Sequence, residues 1–186
     1  MKMATMHPTC YEFTSKKSKR LNELALMEIE VDNIVKWVNL AKAELSKEGQ
    51  SDFNFDLVRA FNISAITTYA KFFSSNKGFS LKPRVKNIFN EKECVQHHEI
   101  YNLRNQIFAH IDDTDKLSMI CEVYVNHSDG LPTFLKPNIT FAAALGSEKL
   151  DTFILMLAKL KDYLKEQYKI CGNQVFEEFN TEFQAM

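Results

Sequence analysis

LNELALMEIEVDNIVKWVNLAKAEL, residues 21 to 45, decides the fold. Leu24, Met27, Val31, Ile34, Val38, Ala41 and Leu45 follow one another at alternating steps of three and four. On a helix that spacing keeps one apolar seam turned toward a partner. The stretch therefore predicts a long bundle helix ending near Gly49, with Trp37 outside the seam and packed on a neighbouring element. A seam of this kind needs other helices to bury it, and the rest of the chain supplies them.

A second helix follows Ser51 or Asp52 as N-cap and carries Val58, Phe61, Ala65, Tyr69 and Phe72, with Gly78 placed to end it. Pro83 breaks the chain, and Asn90-Glu91-Lys92-Glu93 then has the Asn and Glu of a capping box. A fourth helix starts at Ser147, repeats the seam at Leu150, Phe153, Leu157, Leu160 and Leu164, and is closed by Gly172. After it, Val175, Phe176, Phe179 and Phe183 define a short amphipathic segment that packs back on the bundle or meets a partner. Between the third and fourth helices, residues 121–125 and 133–141 are rich in β-branched and aromatic residues and flank His127-Ser128-Asp129-Gly130. They read as a small β-hairpin inserted around 118–142, with Pro137 confining its strand to an edge. Residues 1–19 lack periodicity and read as a loose N-terminal arm. The expected fold is all-α in the main: an antiparallel bundle of four to five helices with a hairpin insertion, one domain over 20–186.

Composition narrows the function classes. Hydrophobic residues make up 45% of the 186 and charged residues 25%, which excludes a disordered chain. The net charge of −1 leaves no bulk field for a polyanion, so any nucleic-acid contact must be local. Lys16-Lys17-Ser18-Lys19-Arg20 and the set Lys77, Lys82, Arg84, Lys86 and Lys92 are the local candidates. Cys10, Cys94, Cys121 and Cys171 are scattered, with no C-x-x-C pair and no secretory signal, and are read as reduced thiols of a cytoplasmic protein. No apolar run is long enough to span a bilayer, so no membrane partner is expected. Gly-rich phosphate loops, nucleophile elbows and redox pairs are missing, and no cofactor is expected.

The third helix carries the polar cluster with chemical interest, LRNQIFAH at 103–110. At about 100° per residue, Arg104 falls inside the apolar arc of Ile100, Leu103, Ile107 and Ile111, while Asn105 points away and His110 lies at the arc's edge. A buried guanidinium needs a carboxylate, carbonyls, an anion or a second subunit. His97 and Tyr101 continue the line of Arg104 toward the start of the helix, with Glu93 on the same side. Lys71, with Ser74 and Ser75, stands where the end of the second helix can grip a phosphate. His97, His98 and His110 lack metal-ligand spacing with a supporting acid, so no metal is assigned. The same residues also fit a reading without chemistry, in which Arg104 pairs with a core acid and His110 caps the helix.

Residues 103–112, Leu-Arg-Asn-Gln-Ile-Phe-Ala-His-Ile-Asp, resemble the signature of HEPN-type domains: an Arg, a polar residue and a spaced His late in a helix of a small bundle. The Tyr-Ala-Lys-Phe-Phe-Ser run at 69–74, His98-Glu99 and Ala-His-Ile-Asp at 109–112 are similar to uncharacterised bacterial HEPN-like proteins of the phage-defence kind. The resemblance implies a metal-independent endoribonuclease acting as a homodimer, with motifs of two subunits meeting at the interface. By it, Arg104 stabilises charge on the phosphate, Asn105 orients it, and His110 serves in proton transfer or positioning. Tyr101, His97 and Lys71 are the accompanying substrate-binding candidates. RNA or a nucleotide, and an antitoxin, are the partners it implies. Many HEPN-like proteins are instead non-catalytic binding or dimerisation modules, and that alternative stays open at this point.

Overall fold

The computed structural model describes residues 12–74, 79, 81–112, 118–125, 132–140 and 145–184, with the backbone alone over 106–112 and the two strands. Four α-helices occur among these residues: α1 Lys16–Leu45, α2 Phe55–Phe73, α3 Glu91–Asp112 and α4 Ser147–Gln184. A single 3-10 turn, Val85–Asn87, precedes α3. Strands β1 Ser118–Val125 and β2 Pro132–Thr140 pair antiparallel, Ser118 opposite Thr140 and Cys121 opposite Pro137, with an irregularity at Tyr124/Val125. The residues joining them lie outside those described. No helix among the described residues is long and apolar enough to cross a membrane.

The seam of α1 is the centre of the core. Leu24, Met27, Val31, Ile34, Val38 and Ala41 are all essentially inaccessible, and Leu45 and Trp37 are partly buried against them. Ala65, Ile66, Tyr69 and Phe72 of α2 and Leu150, Phe153, Leu157, Leu160 and Leu164 of α4 close over it, and Val58 of α2 is buried as well. Truncating one of these leucines to alanine in a close-packed core costs roughly 2–5 kcal/mol.

Ion pairs mark the helix directions. Lys42 pairs with Asp151, Lys161 with Asp32 and Lys17 with Glu178, so α1 and α4 run antiparallel along most of their length. Glu93 and Glu99 of α3 pair with Lys159 and Lys149 of α4, which makes that crossing antiparallel as well. Between α1 and α2, the buried Glu44 carboxylate accepts the Asn54 N–H at 2.8 Å and the Lys47 ammonium at 3.0 Å. Those two bonds hold the Glu44 carboxyl below its usual range. Buried Asn62 spans two elements: its Nδ2 donates to the Val58 carbonyl at 2.9 Å, and its Oδ1 accepts the Leu145 N–H at 3.1 Å. The start of α4 is thereby tied to α2.

Helix boundaries depart from the sequence expectations at four places. The arm is shorter than residues 1–19, because Ser15 caps α1 and forms a reciprocal capping box with Ser18. This first turn is basic and repels the helix dipole, but Glu178 from the far end of α4 supplies the missing carboxylate to Ser15 and Lys17. Asn54, rather than Ser51 or Asp52, caps α2, accepting the N–H groups of Asp56 and Leu57. That helix ends at Phe73, short of Gly78, which lies outside the described residues. Gly172 does not close α4: the expected terminal segment is a continuation of one helix of 38 residues. Packing of Cys171, Val175 and Phe179 along the start of α1 carries the helix through the glycine. Asn90 and Glu93 form the expected capping box, with reciprocal bonds of 2.9 Å.

Candidate functional site

The sequence places six candidate residues on two helices, and the structure separates them into three locations. His97 lies in the interior, 5% exposed, in the first half of α3. Its Nδ1 is 2.8 Å from the Tyr69 hydroxyl of α2. Burial pushes the Tyr69 phenol well above its ordinary value, with Cys94 adding to the effect, so the hydroxyl keeps its proton. The hydroxyl and Nδ1 share one hydrogen bond, whose donor is set by the His97 tautomer. Burial, reinforced by neighbouring His98, lowers the His97 pKa to about 4, so the ring is neutral at pH 7. Aromatic rings of Phe73, Phe89, His98 and Tyr101 surround it, with Phe73 nearest at 4.6 Å between centroids.

The neighbouring polar residues of α3 are committed to α4 or to α3 itself. Glu93 Oε1 accepts Lys159 Nζ at 2.6 Å. Burial raises the Glu93 pKa, but the Lys159 ammonium and the Asn90 N–H outweigh it and leave the carboxyl below its usual range. Gln96 donates to the Lys149 carbonyl at 2.7 Å, and Glu99 accepts from Lys149 Nζ at 2.8 Å. His98 Nδ1 is 2.6 Å from the Cys94 carbonyl; a carbonyl only accepts, so that nitrogen is protonated.

Arg104 and Asn105 form the second location, beyond the interior cluster. Arg104 is half-buried rather than enclosed in the apolar arc, and Asn105 is exposed. The guanidinium Nη1 donates to Asn105 Oδ1 at 3.1 Å. Ile100 and Leu103 take the core-facing positions of this part of the helix. Half-buried Tyr101 stands between the two locations, 6.2 Å from His97 between ring centroids. His110 belongs to α3 as well, among the residues described by backbone alone.

Lys71 occupies the third location. It is exposed in the last turn of α2 and lines a depression of about 350 Å³ with Glu23, Leu26 and Glu30 of α1 and with Thr68, Phe72 and Phe79. Glu23 and Glu30 give this depression an acidic wall beside the ammonium. Ser74 caps the end of α2, and Ser75 lies outside the described residues.

Sequence reasoning missed the Tyr69–His97 hydrogen bond and the Glu93–Lys159 pair. Each joins residues far apart in the chain, and no local spacing announces either. Comparison of the chain with protein-family models, with curated proteins and with solved structures finds no match.

Proposed function

We propose that this chain is a HEPN-like, metal-independent endoribonuclease, a toxin or phage-defence effector, whose site is built on the second half of α3 from Arg104, Asn105 and His110. The observation that carries the reading is the Arg104–Asn105 hydrogen bond, which preorients a half-exposed guanidinium on the helix that also carries His110. The cation is half-buried on the same helix face that the resemblance assigns to the phosphate. Five residues separate Arg104 from His110, a step of six positions that spans about 9 Å along a helix axis and about 120° around it. One helix does not bring two side chains so placed to a single point, which is the physical reason to expect a second subunit's α3 to complete the site.

In this mechanism the 2′-hydroxyl attacks the adjacent phosphorus and the 5′-oxygen leaves, giving a 2′,3′-cyclic phosphate and a 5′-hydroxyl end. Arg104 neutralises the charge that builds on the phosphoryl oxygens, Asn105 donates a hydrogen bond that fixes their orientation, and His110 moves the proton. Tyr101 flanks the site. With a neutral buried ring, His97 acts only by holding α3 against α2. Lys71 belongs to a separate contact. A cytoplasmic location and an antitoxin partner accompany this proposal.

A second reading has its own support. Glu93, Gln96, His97, His98 and Glu99 are all engaged in bonds within the fold, which suits a polar helix used for packing in a non-catalytic dimerisation module. Cleavage of a mixed RNA pool in excess chelator, by the wild type and by Arg104→Ala and His110→Ala, separates the two. Cleavage lost in both variants, with circular dichroism unchanged, supports the nuclease. An inactive wild type, with both variants melting or dissociating, supports the module.

A further inference from the structure

The connection between α2 and α3 carries cations that the Arg104 site does not use. Residues 81–90 hold Lys82, Arg84 and Lys86 and contain no Asp or Glu. The next acid, Glu91, stands in the first turn of α3, where it complements the helix dipole. Among the described residues none of the three cations has an ion pair. The segment that carries them is fixed: Leu81, Val85 and Ile88 pack on the core, and Pro83 and Phe89 are buried. Extended chain at Arg84 and the 3-10 turn Val85–Asn87 leave Arg84 and Lys86 exposed. The backbone under both charges is thus positioned before any ligand arrives, which lowers the entropy lost on binding.

Lys82 is the second observation. A lysine ordinarily lays its aliphatic stem on apolar surface and keeps its ammonium in water. Lys82 does the reverse: the residue is half-buried, yet its Nζ is out of contact with solvent and no acceptor among the described residues reaches it. A cation withdrawn from water without a partner costs free energy that nothing in the fold returns. Folding alone gives no reason for a lysine here, since a methionine would fill similar space without the charge. An anion brought from outside gives that reason.

Spacing selects the kind of anion. The three cations occupy alternate positions, roughly 6–7 Å apart where the chain is extended, which suits a row of separate anions better than a single carboxylate. We propose that Lys82, Arg84 and Lys86 bind successive phosphates of an RNA strand, the Lys82 ammonium turning out of its buried position to pair with one of them. This inference rests on the ribonuclease reading and adds a second contact with the same substrate. Arg104 stands in the second half of α3, and the step to it from Glu91 is about 20 Å along the helix axis. The strip therefore meets nucleotides away from the scissile bond, where it supplies affinity rather than chemistry.

Fluorescence anisotropy of a short, labelled, single-stranded 2′-O-methyl RNA, which lacks the attacking hydroxyl and stays intact, tests the strip on the full chain in excess chelator. Affinity is followed from about 50 to 200 mM salt for the wild type, for Lys82→Met, and for Arg84→Gln combined with Lys86→Gln. The expected log–log slope of affinity against salt is shallower than that of the wild type by about 0.7 in Lys82→Met and by about 1.4 in the double variant, one single-strand phosphate contact being lost per cation. Lys82→Met should also raise the urea midpoint, because an unpaired ammonium leaves the interior, so weaker binding cannot be blamed on a damaged fold. A wild type that does not bind the RNA overturns the proposal, as do variants that keep its affinity and slope. A lowered urea midpoint in Lys82→Met overturns it too, by showing that the ammonium has a partner in the fold. RNA released by millimolar inorganic phosphate at constant ionic strength would assign the site to a free phosphate instead of a strand. Cleavage of ordinary RNA, read beside Arg104→Ala, is independent: expected slopes without cleavage support the strip and sink the nuclease, and cleavage with unchanged slopes sinks the strip alone.

Discussion

A single buried hydrogen bond between Tyr69 and His97 decides the chemistry of the interior of α3. Tyr69→Phe removes the hydroxyl and leaves His97 Nδ1 buried without that partner. The expected cost is about 1–3 kcal/mol, read from urea unfolding, because an unsatisfied buried polar group loses its hydration without recompense. A loss under about 0.5 kcal/mol would mean that another partner takes the place of the phenol. The same residue makes stability depend on pH. The His97 pKa is lowered from 6.5 to about 4, so below 6.5 the unfolded chain binds a proton that the folded one refuses. Its contribution is complete above the unfolded value, is lost as pH falls toward 4, and amounts to no more than about 3 kcal/mol. Unfolding free energy measured between pH 7 and pH 4 should fall, and His97→Gln should flatten that slope. An imidazole titrating near 6.5 in the folded protein would remove the basis for it.

Two helices of the bundle, α1 and α2, begin with chemistry that their own sequence supplies only in part. Ser15 and Ser18 cap α1, but the carboxylate that complements its basic first turn comes from Glu178, at the other end of the chain. Asn54 caps α2 while its own N–H is taken by Glu44 of α1, so the connection between the two helices is fastened from both sides. Asn54→Ala should cost about 0.5–2 kcal/mol, the usual range for a lost N-cap. Asn62→Leu should cost about 1–3 kcal/mol, because the Leu145 N–H loses its acceptor inside the protein. Thermal unfolding of the two variants separates them: the cap variant weakens α2 alone, and the Asn62 variant also frees the start of α4 to faster amide exchange.

At the scale of the molecule, burial is concentrated where α1 is covered by both α2 and α4 and thins toward the end of α4. Leu150, Phe153, Met156, Leu157, Leu160 and Leu164 of α4 are enclosed, whereas beyond them Tyr168, Ile170, Phe176 and Phe183 are exposed. Amide exchange should accordingly be slowest in the middle of α1, α2 and α4, and faster by orders of magnitude after Cys171. Uniform protection along α4 in a dilute monomer would show that the tail is held by contacts of its own. Arg104 is half-buried and Asn105 exposed, and neither belongs to the buried seam, so on the nuclease reading Arg104→Ala should change unfolding free energy by no more than about 0.5 kcal/mol. A larger loss would favour the packing reading of α3.

The seams of α1 and α4 were legible residue by residue, because a spacing of three and four places side chains on one face regardless of what that face meets. The Asn90–Glu93 cap was legible for a similar reason, since both partners lie within one turn. Within the candidate site, the sequence located Arg104, Asn105 and His110 on one helix. It misjudged the burial of Arg104, which depends on how far the neighbouring helices reach along α3. It also grouped His97 and Lys71 with them. The partners of those two residues come from elements distant in the chain, and only tertiary packing assigns them: His97 to Tyr69, and Lys71 to a depression shared with α1. Local periodicity determined the helices and their apolar faces. Which polar side chains became interior, and whether Gly172 ended a helix, was decided by contacts across the bundle, whose energies no local pattern contains.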